Sequence, residues 1–159
     1  MQSEKPSAAL YRQCVSDLLE SGEVKSLENF EQHFGTSRLQ HSLNVSYYSF
    51  LISKFLHCDY RSAARAGILH DLYLYDRHCD KTSESHVFRR PKEALKNAEE
   101  LTDLNDIEKD AIVNHMFPLS KGVPHYKESY VVSAADKYNA VLESCERLGK
   151  KVKHKLAFV

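Results

Sequence analysis

Four residues spread along the chain have the side-chain types that bind divalent metal ions. They are His41, His70, Asp71 and Asp136, which supply two imidazoles and two carboxylates. This donor set suits a hard or borderline ion such as Mn²⁺, Fe²⁺ or Mg²⁺. Such an ion lowers the pKa of a bound water and so generates a hydroxide for hydrolysis. A single histidine on an apolar helix face is more often a core residue than a ligand, so the prediction depends on the set.

The elements that must position these residues are predicted to be helices. With five glycines, four prolines and few alternating segments, the sequence predicts an all-α fold. A long helix is expected to begin after Ser37, which forms a capping-box pattern with Gln40. On that helix His41 shares a stripe with Val45 and therefore points towards the core.

The other three candidate ligands are expected on two further helices. A helix capped by Asp59 reaches His70 and Asp71 near its end. A long helix from Tyr126 to Arg147 directs Asp136 at surface that should be buried. A buried carboxylate without a partner is costly, so a cation or a hydrogen-bond network is required there.

Caps, breaks and charge predict the remaining elements. They are a first helix from about Pro6 to Leu19, a weaker segment around Leu27 to Phe34, a polar loop from Arg77 to Ser85, a helix with Pro91 in its first turn that runs through Leu101, a helix from Asp106 to near His115, and a stop for the last helix at Gly149.

Length and composition limit the classes of protein. A chain of 159 residues is expected to form one domain over 1–159. Lys plus Arg and Asp plus Glu are equal at 22 each, so no nucleic-acid partner is expected. The sequence has no signal-peptide core, no apolar run long enough for a bilayer and only scattered cysteines. These features predict a cytoplasmic protein without a membrane partner, and they leave the oligomeric state open.

The order of the candidate ligands resembles the HD-domain metal-dependent phosphohydrolases, in which a histidine, an adjacent His-Asp pair and a distant aspartate follow one another. The resemblance covers about residues 30–146. Within the superfamily, the chain is similar to a bacterial branch of small stand-alone HD domains. The stretches that carry it are Gly35-Thr36-Ser37 leading to His41-Ser42, Ala66-Gly67-Ile68-Leu69-His70-Asp71 continuing to Leu74-Tyr75-Asp76, Pro91 to Ala98, His115-Met116 before Pro118-Leu119, and Ala135-Asp136-Lys137-Tyr138.

The resemblance implies a compact helical bundle in which His41, His70, Asp71 and Asp136 bind one metal ion. It also implies that Asp71 bridges to a second ion and orients or deprotonates the attacking water. The expected reaction is hydrolysis of a phosphoester in a nucleotide or another small phosphorylated metabolite.

The chain departs from this family at one position. Members of the branch resemble one another in having a histidine immediately before the proline, whereas here Arg90 precedes Pro91. Guanidinium has no lone pair for a cation. His115 is retained and His86 is close enough in sequence to substitute. However, unit charges about 4 Å apart repel by roughly 4 kcal/mol at an effective dielectric near 20, so one ion per chain is predicted rather than two.

Three cationic residues are candidates to contact the substrate phosphate. Arg90 is the best of them, whereas for Arg38 and Lys137 a solvated surface charge is the favoured interpretation. A catalytically weak HD domain, serving as a metal- or nucleotide-binding sensor or interaction module, is the alternative function. The replacement at Arg90 favours that alternative, and retention of every residue of the first metal site favours the enzyme.

Overall fold

A computed structural model describes residues 6–33, 35–75 and 86–156, and it confirms the predicted all-α fold. The predicted loop from Arg77 to Ser85 lies outside the described residues. The elements are α1 (Pro6–Glu20), α2 (Gly22–Ser26), a 3₁₀ turn (Leu27–Asn29), β1 (Glu31–His33), β2 (Thr36–Ser37), α3 (Arg38–Phe55), α4 (Tyr60–Leu69), α5 (His86–Leu101), α6 (Asp106–Asn114) and α7 (Lys127–Leu156).

Helix α4 lies at the centre of the bundle. It contacts α1, α3, α6 and α7, and every residue from 62 to 69 is buried. A Cβ atom on Gly67 would lie 2.5 Å from the Cα of Ser46, so α3 and α4 pack backbone against backbone at this point. The close approach brings the rings of His41 and His70 to 5.6 Å between centroids. The central helix pair therefore positions half of the candidate ligand set.

Three of the predicted helix starts depend on local capping, and the structure confirms these three. Ser37 accepts a hydrogen bond from the backbone of Gln40, although the Gln40 side chain bonds along its own helix and leaves the box half formed. Asp59 caps α4 through its carboxylate. Asn105 and Glu108 form both halves of a capping box at the start of α6.

The segment predicted around Leu27 to Phe34 differs from a helix. It contains the 3₁₀ turn and β1, which pairs antiparallel with β2. Gly35 has a φ of 92°, a left-handed conformation that glycine adopts without steric cost, and it allows the chain to reverse between the strands. The resulting β1–β2 hairpin places Gln32 beside the start of α3.

Two helix boundaries also differ from the predictions. Helix α5 begins at His86, so Pro91 lies in its second turn rather than its first. Helix α7 continues through Gly149 to Leu156, because an internal glycine costs a helix only about 1 kcal/mol and does not by itself end it. Among the described helices, none combines the length and the apolar character needed to cross a bilayer.

Candidate metal centre

The structure brings the four predicted metal ligands together in one cluster, in which three are buried and Asp136 is partly exposed. His41 lies in the first turn of α3, and His70 and Asp71 follow the end of α4. One ligand atom from each of these three residues lies within 4.8 Å of the others, so this buried group could hold a metal ion. From α7, Asp136 places its Oδ1 3.0 Å from the Nε2 of His41 and 3.7 Å from the Nε2 of His70.

The orientation of both imidazoles is fixed by their Nδ1 atoms. The Nδ1 of His70 lies 2.8 Å from the carbonyl oxygen of Gly67, which can only accept, so this nitrogen donates. The Nδ1 of His41 lies 3.0 Å from Oε1 of Glu143 and donates to that carboxylate. When the rings are neutral, each Nε2 therefore directs a lone pair into the cluster, as a metal-binding histidine does.

The Nε2 of His70 is an unusual atom in this cluster. It is buried and, among the described residues, it has no hydrogen-bond partner. Its nearest acidic oxygens are Oδ2 of Asp71 at 3.5 Å and Oδ1 of Asp136 at 3.7 Å, which are beyond good hydrogen-bond distance. Buried polar atoms are nearly always paired. Burial lowers the pKa of His70, but the carboxylates of Asp71 and Asp136 outweigh burial and raise it, so a bound cation would take the place of a proton at this Nε2.

Without a metal ion, protons stabilise the cluster. Burial opposes the charged form of His41, but hydrogen bonds with Asp136 and Glu143 outweigh burial and raise the pKa of His41 to about 9. Burial alone would raise the pKa of Asp136, yet the His41 and His70 imidazoles hold it well below its usual value. At neutral pH the metal-free protein therefore has a proton between His41 and Asp136, where a metal ion would have to displace it.

Glu143 belongs to the cluster by its contacts, and it is absent from the residues predicted from the sequence. It is 8% exposed, and both of its carboxylate oxygens lie within 3.2 Å of the Nδ1 of His41. Glu143 follows Asp136 by seven residues on α7, which places the two carboxylates two turns apart on one helix face. That spacing was the available signal. A carboxylate behind a ligating imidazole fixes its tautomer and raises its basicity.

The residues predicted for a second metal ion are only partly assembled. His115 caps the end of α6, is 1% exposed, and places its Nε2 3.6 Å from Oδ1 of Asp71. Burial and the neighbouring His70 lower the pKa of His115, so its ring is a neutral potential ligand. His86 is the first residue of α5, and its side chain lies outside the described residues.

The interpretation of Arg38 as a solvated surface charge is wrong. Its side chain is fully buried, and its guanidinium lies 3.7 Å from the centre of the Tyr73 ring. It donates to the carbonyl oxygens of Tyr73 at 2.5 Å and Tyr75 at 3.3 Å, and to Oε1 of Gln32 at 3.1 Å. The β1–β2 hairpin covers this arginine and supplies some of its acceptors. In this arrangement the Arg38 guanidinium does not offer the predicted contact to a substrate phosphate, because it donates to protein groups.

The other two cationic candidates lie in different surroundings. Lys137 is half-buried and donates to the carbonyl of His115 at 2.9 Å and to the hydroxyl of Ser133 at 2.9 Å, so it is not a solvated charge either. Arg90 is half-buried, with its guanidinium 5.3 Å from the centre of the Tyr73 ring. Within the described ranges the buried Nε of Arg90 has no hydrogen-bond partner.

Comparison with known proteins adds no assignment to this geometry. No protein-family model, no curated protein and no solved structure matches the chain.

Proposed function

We propose that the protein is a metal-dependent phosphohydrolase of the HD-domain type that acts on a phosphoester of a nucleotide or another small phosphorylated metabolite. The observation that carries the proposal is the buried Nε2 of His70, which has no hydrogen-bond partner in the described part of the chain and faces the carboxylates of Asp71 and Asp136. In this proposal His41, His70, Asp71 and Asp136 hold one divalent ion, Mn²⁺, Fe²⁺ or Mg²⁺.

Each residue of the cluster has a distinct task in the proposed reaction. When bound, the ion lowers the pKa of a water and offsets charge on the phosphate. Asp71 orients or deprotonates that water, because its carboxylate lies between the His70 and His115 imidazoles. Glu143 keeps the Nδ1 of His41 protonated and its Nε2 free to ligate. Arg90 binds the substrate phosphate through its planar guanidinium.

One ion per chain is proposed rather than two. His115 and Asp71 supply two donors for a second ion, and the side chain of the further candidate His86 lies outside the described residues. Arg90 occupies the position before Pro91 at which the family resemblance implies another histidine ligand. The Arg90→His variant tests this stoichiometry. Elemental analysis should show the metal content rising from one towards two ions per chain, and two ions in the unmodified protein would contradict the proposal.

The single test of the metal site is the Asp136→Ala variant. Removing this ligand should lower the affinity for Mn²⁺ by more than ~100-fold, beyond the roughly 10–100-fold effect of residues that only support a ligand. Asp110→Ala is the matched control, since Asp110 is also a largely buried carboxylate but is held by His125 and Ser129. Unchanged Mn²⁺ affinity in Asp136→Ala would refute the assignment.

A screen of phosphate release from phosphorylated metabolites tests the reaction itself. Turnover should require Mn²⁺, Fe²⁺ or Mg²⁺ and should stop on chelation, because the proposal uses no serine or cysteine nucleophile. Turnover that persists after verified metal removal would refute it.

A metal- or nucleotide-binding module is the second candidate function. It is favoured by the contacts of Arg38 and Lys137, because both cations already bind protein groups and leave Arg90 as the proposed phosphate contact. Tight Mn²⁺ binding without phosphate release on any metabolite of the screen would support this module over the enzyme.

A further inference from the structure

Gln32 is a buried amide that links the β1–β2 hairpin to the candidate metal centre. It is 5% exposed, and its Nε2 donates a short hydrogen bond to Oδ2 of Asp71. We propose that Gln32 is the positioning residue of Asp71, holding that carboxylate in the orientation in which it ligates the ion. This inference rests on the proposed metal site and adds a residue to it.

The amide of Gln32 has only one orientation that satisfies its neighbours. Arg38 has donors and no acceptor, and its Nε lies 3.1 Å from Oε1 of Gln32. The hydroxyl of Tyr73 also donates towards the same oxygen, at 3.4 Å. Two donors on Oε1 fix it as the acceptor, so the NH₂ group must face Asp71. The hydrogen bond therefore uses Oδ2 of Asp71 as its acceptor, a role that the carboxylate form of Asp71 can fill with either oxygen.

The hydrogen bond from Gln32 also fixes the direction in which each oxygen of the Asp71 carboxylate points. Oδ2 receives the hydrogen bond and lies 3.5 Å from the Nε2 of His70. Oδ1 lies 3.6 Å from the Nε2 of His115. Rotation of the carboxylate would break the bond to Gln32, so the hairpin holds one oxygen towards His70 and the other towards His115. Arg38 and Tyr73 hold Gln32 in turn and have no direct part in ligation.

The test is the affinity of the full chain for Mn²⁺, measured by calorimetric titration of the Gln32→Met variant. Methionine approximates the length of glutamine but lacks the donor, and loss of a group that supports a ligand typically lowers metal affinity by roughly 10–100-fold. Gln40→Met is the matched control, because the Gln40 amide is exposed and donates along α3 to Asn44 at 3.0 Å. Its affinity should equal that of the unmodified protein. Equal affinities in all three proteins would overturn the inference.

A second variant separates positioning from folding. Gln32→Asn keeps an amide but withdraws it by one methylene, so it should also lower Mn²⁺ affinity. Its thermal unfolding without metal is measured first, and its Mn²⁺ affinity is compared with that of Gln40→Met at a temperature at which both variants are folded. An Asn variant with full affinity would overturn the inference even if Gln32→Met fails to fold.

Metal-free crystal structures distinguish this inference from the proposed function. In Gln32→Asn the Asp71 carboxylate should rotate from its position in the unmodified protein, whether or not Mn²⁺ binds. If the unmodified protein binds no Mn²⁺ but the carboxylate still rotates, the proposed function fails and the positioning role stands. If Mn²⁺ binds and the carboxylate does not move in the variant, the positioning role fails and the metal site stands.

Discussion

Two clusters of buried charged groups differ in how completely their polar atoms are paired. In the first, Arg65 on α4 donates to Glu108 at 2.8 Å, to Asp17 at 2.6 Å and to Thr102 at 3.1 Å. Each of its three guanidinium nitrogens thus meets an acceptor. In the second, the candidate metal centre, the buried Nε2 of His70 has no hydrogen-bond partner within the described residues.

The complete pairing of Arg65 is typical of a cluster that joins helices, whereas an atom left unpaired among the described residues, as in the candidate metal centre, is typical of a cluster suited to a ligand. Guanidinium keeps its charge, and its fork of donors can be matched completely by fixed acceptors. Arg65 therefore ties α1, α4 and α6 together with protein groups alone. Imidazole changes its protonation near neutral pH and can exchange a proton for a metal ion. Histidines among carboxylates leave room for an ion that the protein does not itself supply.

The largest effect is expected from replacing Arg65, whose three guanidinium nitrogens all have acceptors. Arg65→Met leaves the buried carboxylate of Glu108 without its cation, and removing one partner of a buried pair costs about 3–5 kcal/mol of unfolding free energy. Urea denaturation measures this loss. Mn²⁺ affinity, measured under conditions where the variant is folded, should match that of the unmodified protein. A parallel fall in affinity would show that the two clusters are not independent.

A smaller effect is expected from pH at the metal centre. Below pH 9 the metal-free protein holds a proton on His41, facing Asp136, Glu143, Asp71 and His70, and a metal ion must displace it. Apparent Mn²⁺ affinity should thus rise about tenfold per pH unit between pH 6 and 8, and level off above the pKa of His41 near 9. Calorimetry in buffers of different ionisation enthalpy should detect at least one released proton. Affinity that is constant over this range would contradict proton displacement.

The smallest effect is expected from changing Glu143, whose carboxylate accepts a hydrogen bond from the Nδ1 of His41. Glu143→Gln keeps an acceptor for the Nδ1 of His41 but removes the negative charge, so Mn²⁺ affinity should fall about tenfold. Glu128→Gln is the control on the same helix, because the Glu128 carboxylate is equally buried but accepts from the backbone of Asp59. An equal change in both variants would assign the effect to α7 rather than to His41.

The sequence predicts most of the helices because their ends are set locally. Ser37, Asp59 and Asn105 cap their helices through neighbours within three residues, and such patterns can be read without tertiary structure. The ligand set is readable for a similar reason. His41 and Asp136 each lie at a helix position whose inward direction follows from helical periodicity, and His70 directly follows the end of α4.

The support for these ligands could not be predicted in the same way. Gln32 reaches Asp71 across 39 residues, from a short hairpin whose strands have no clear periodic pattern. Arg38 is a charged residue in a first helical turn, where the sequence favours exposure, and its burial is explained by acceptors distant in the sequence, among them the carbonyl oxygens of Tyr73 and Tyr75. Glu143 did have a readable signal, its spacing from Asp136.

Gly67 allows the closest approach of α3 and α4, and so sets a lower limit on the distance between the His41 and His70 rings of the candidate metal centre. It already has no side chain, and it sits where a Cβ would overlap the backbone of Ser46, while its carbonyl orients the ring of His70. Any substitution at this position adds atoms between α3 and α4 and moves His41 away from His70. A side chain at position 67 should therefore widen the space between the His41 and His70 rings rather than narrow it. Selectivity for a smaller cation would have to be acquired elsewhere in the chain.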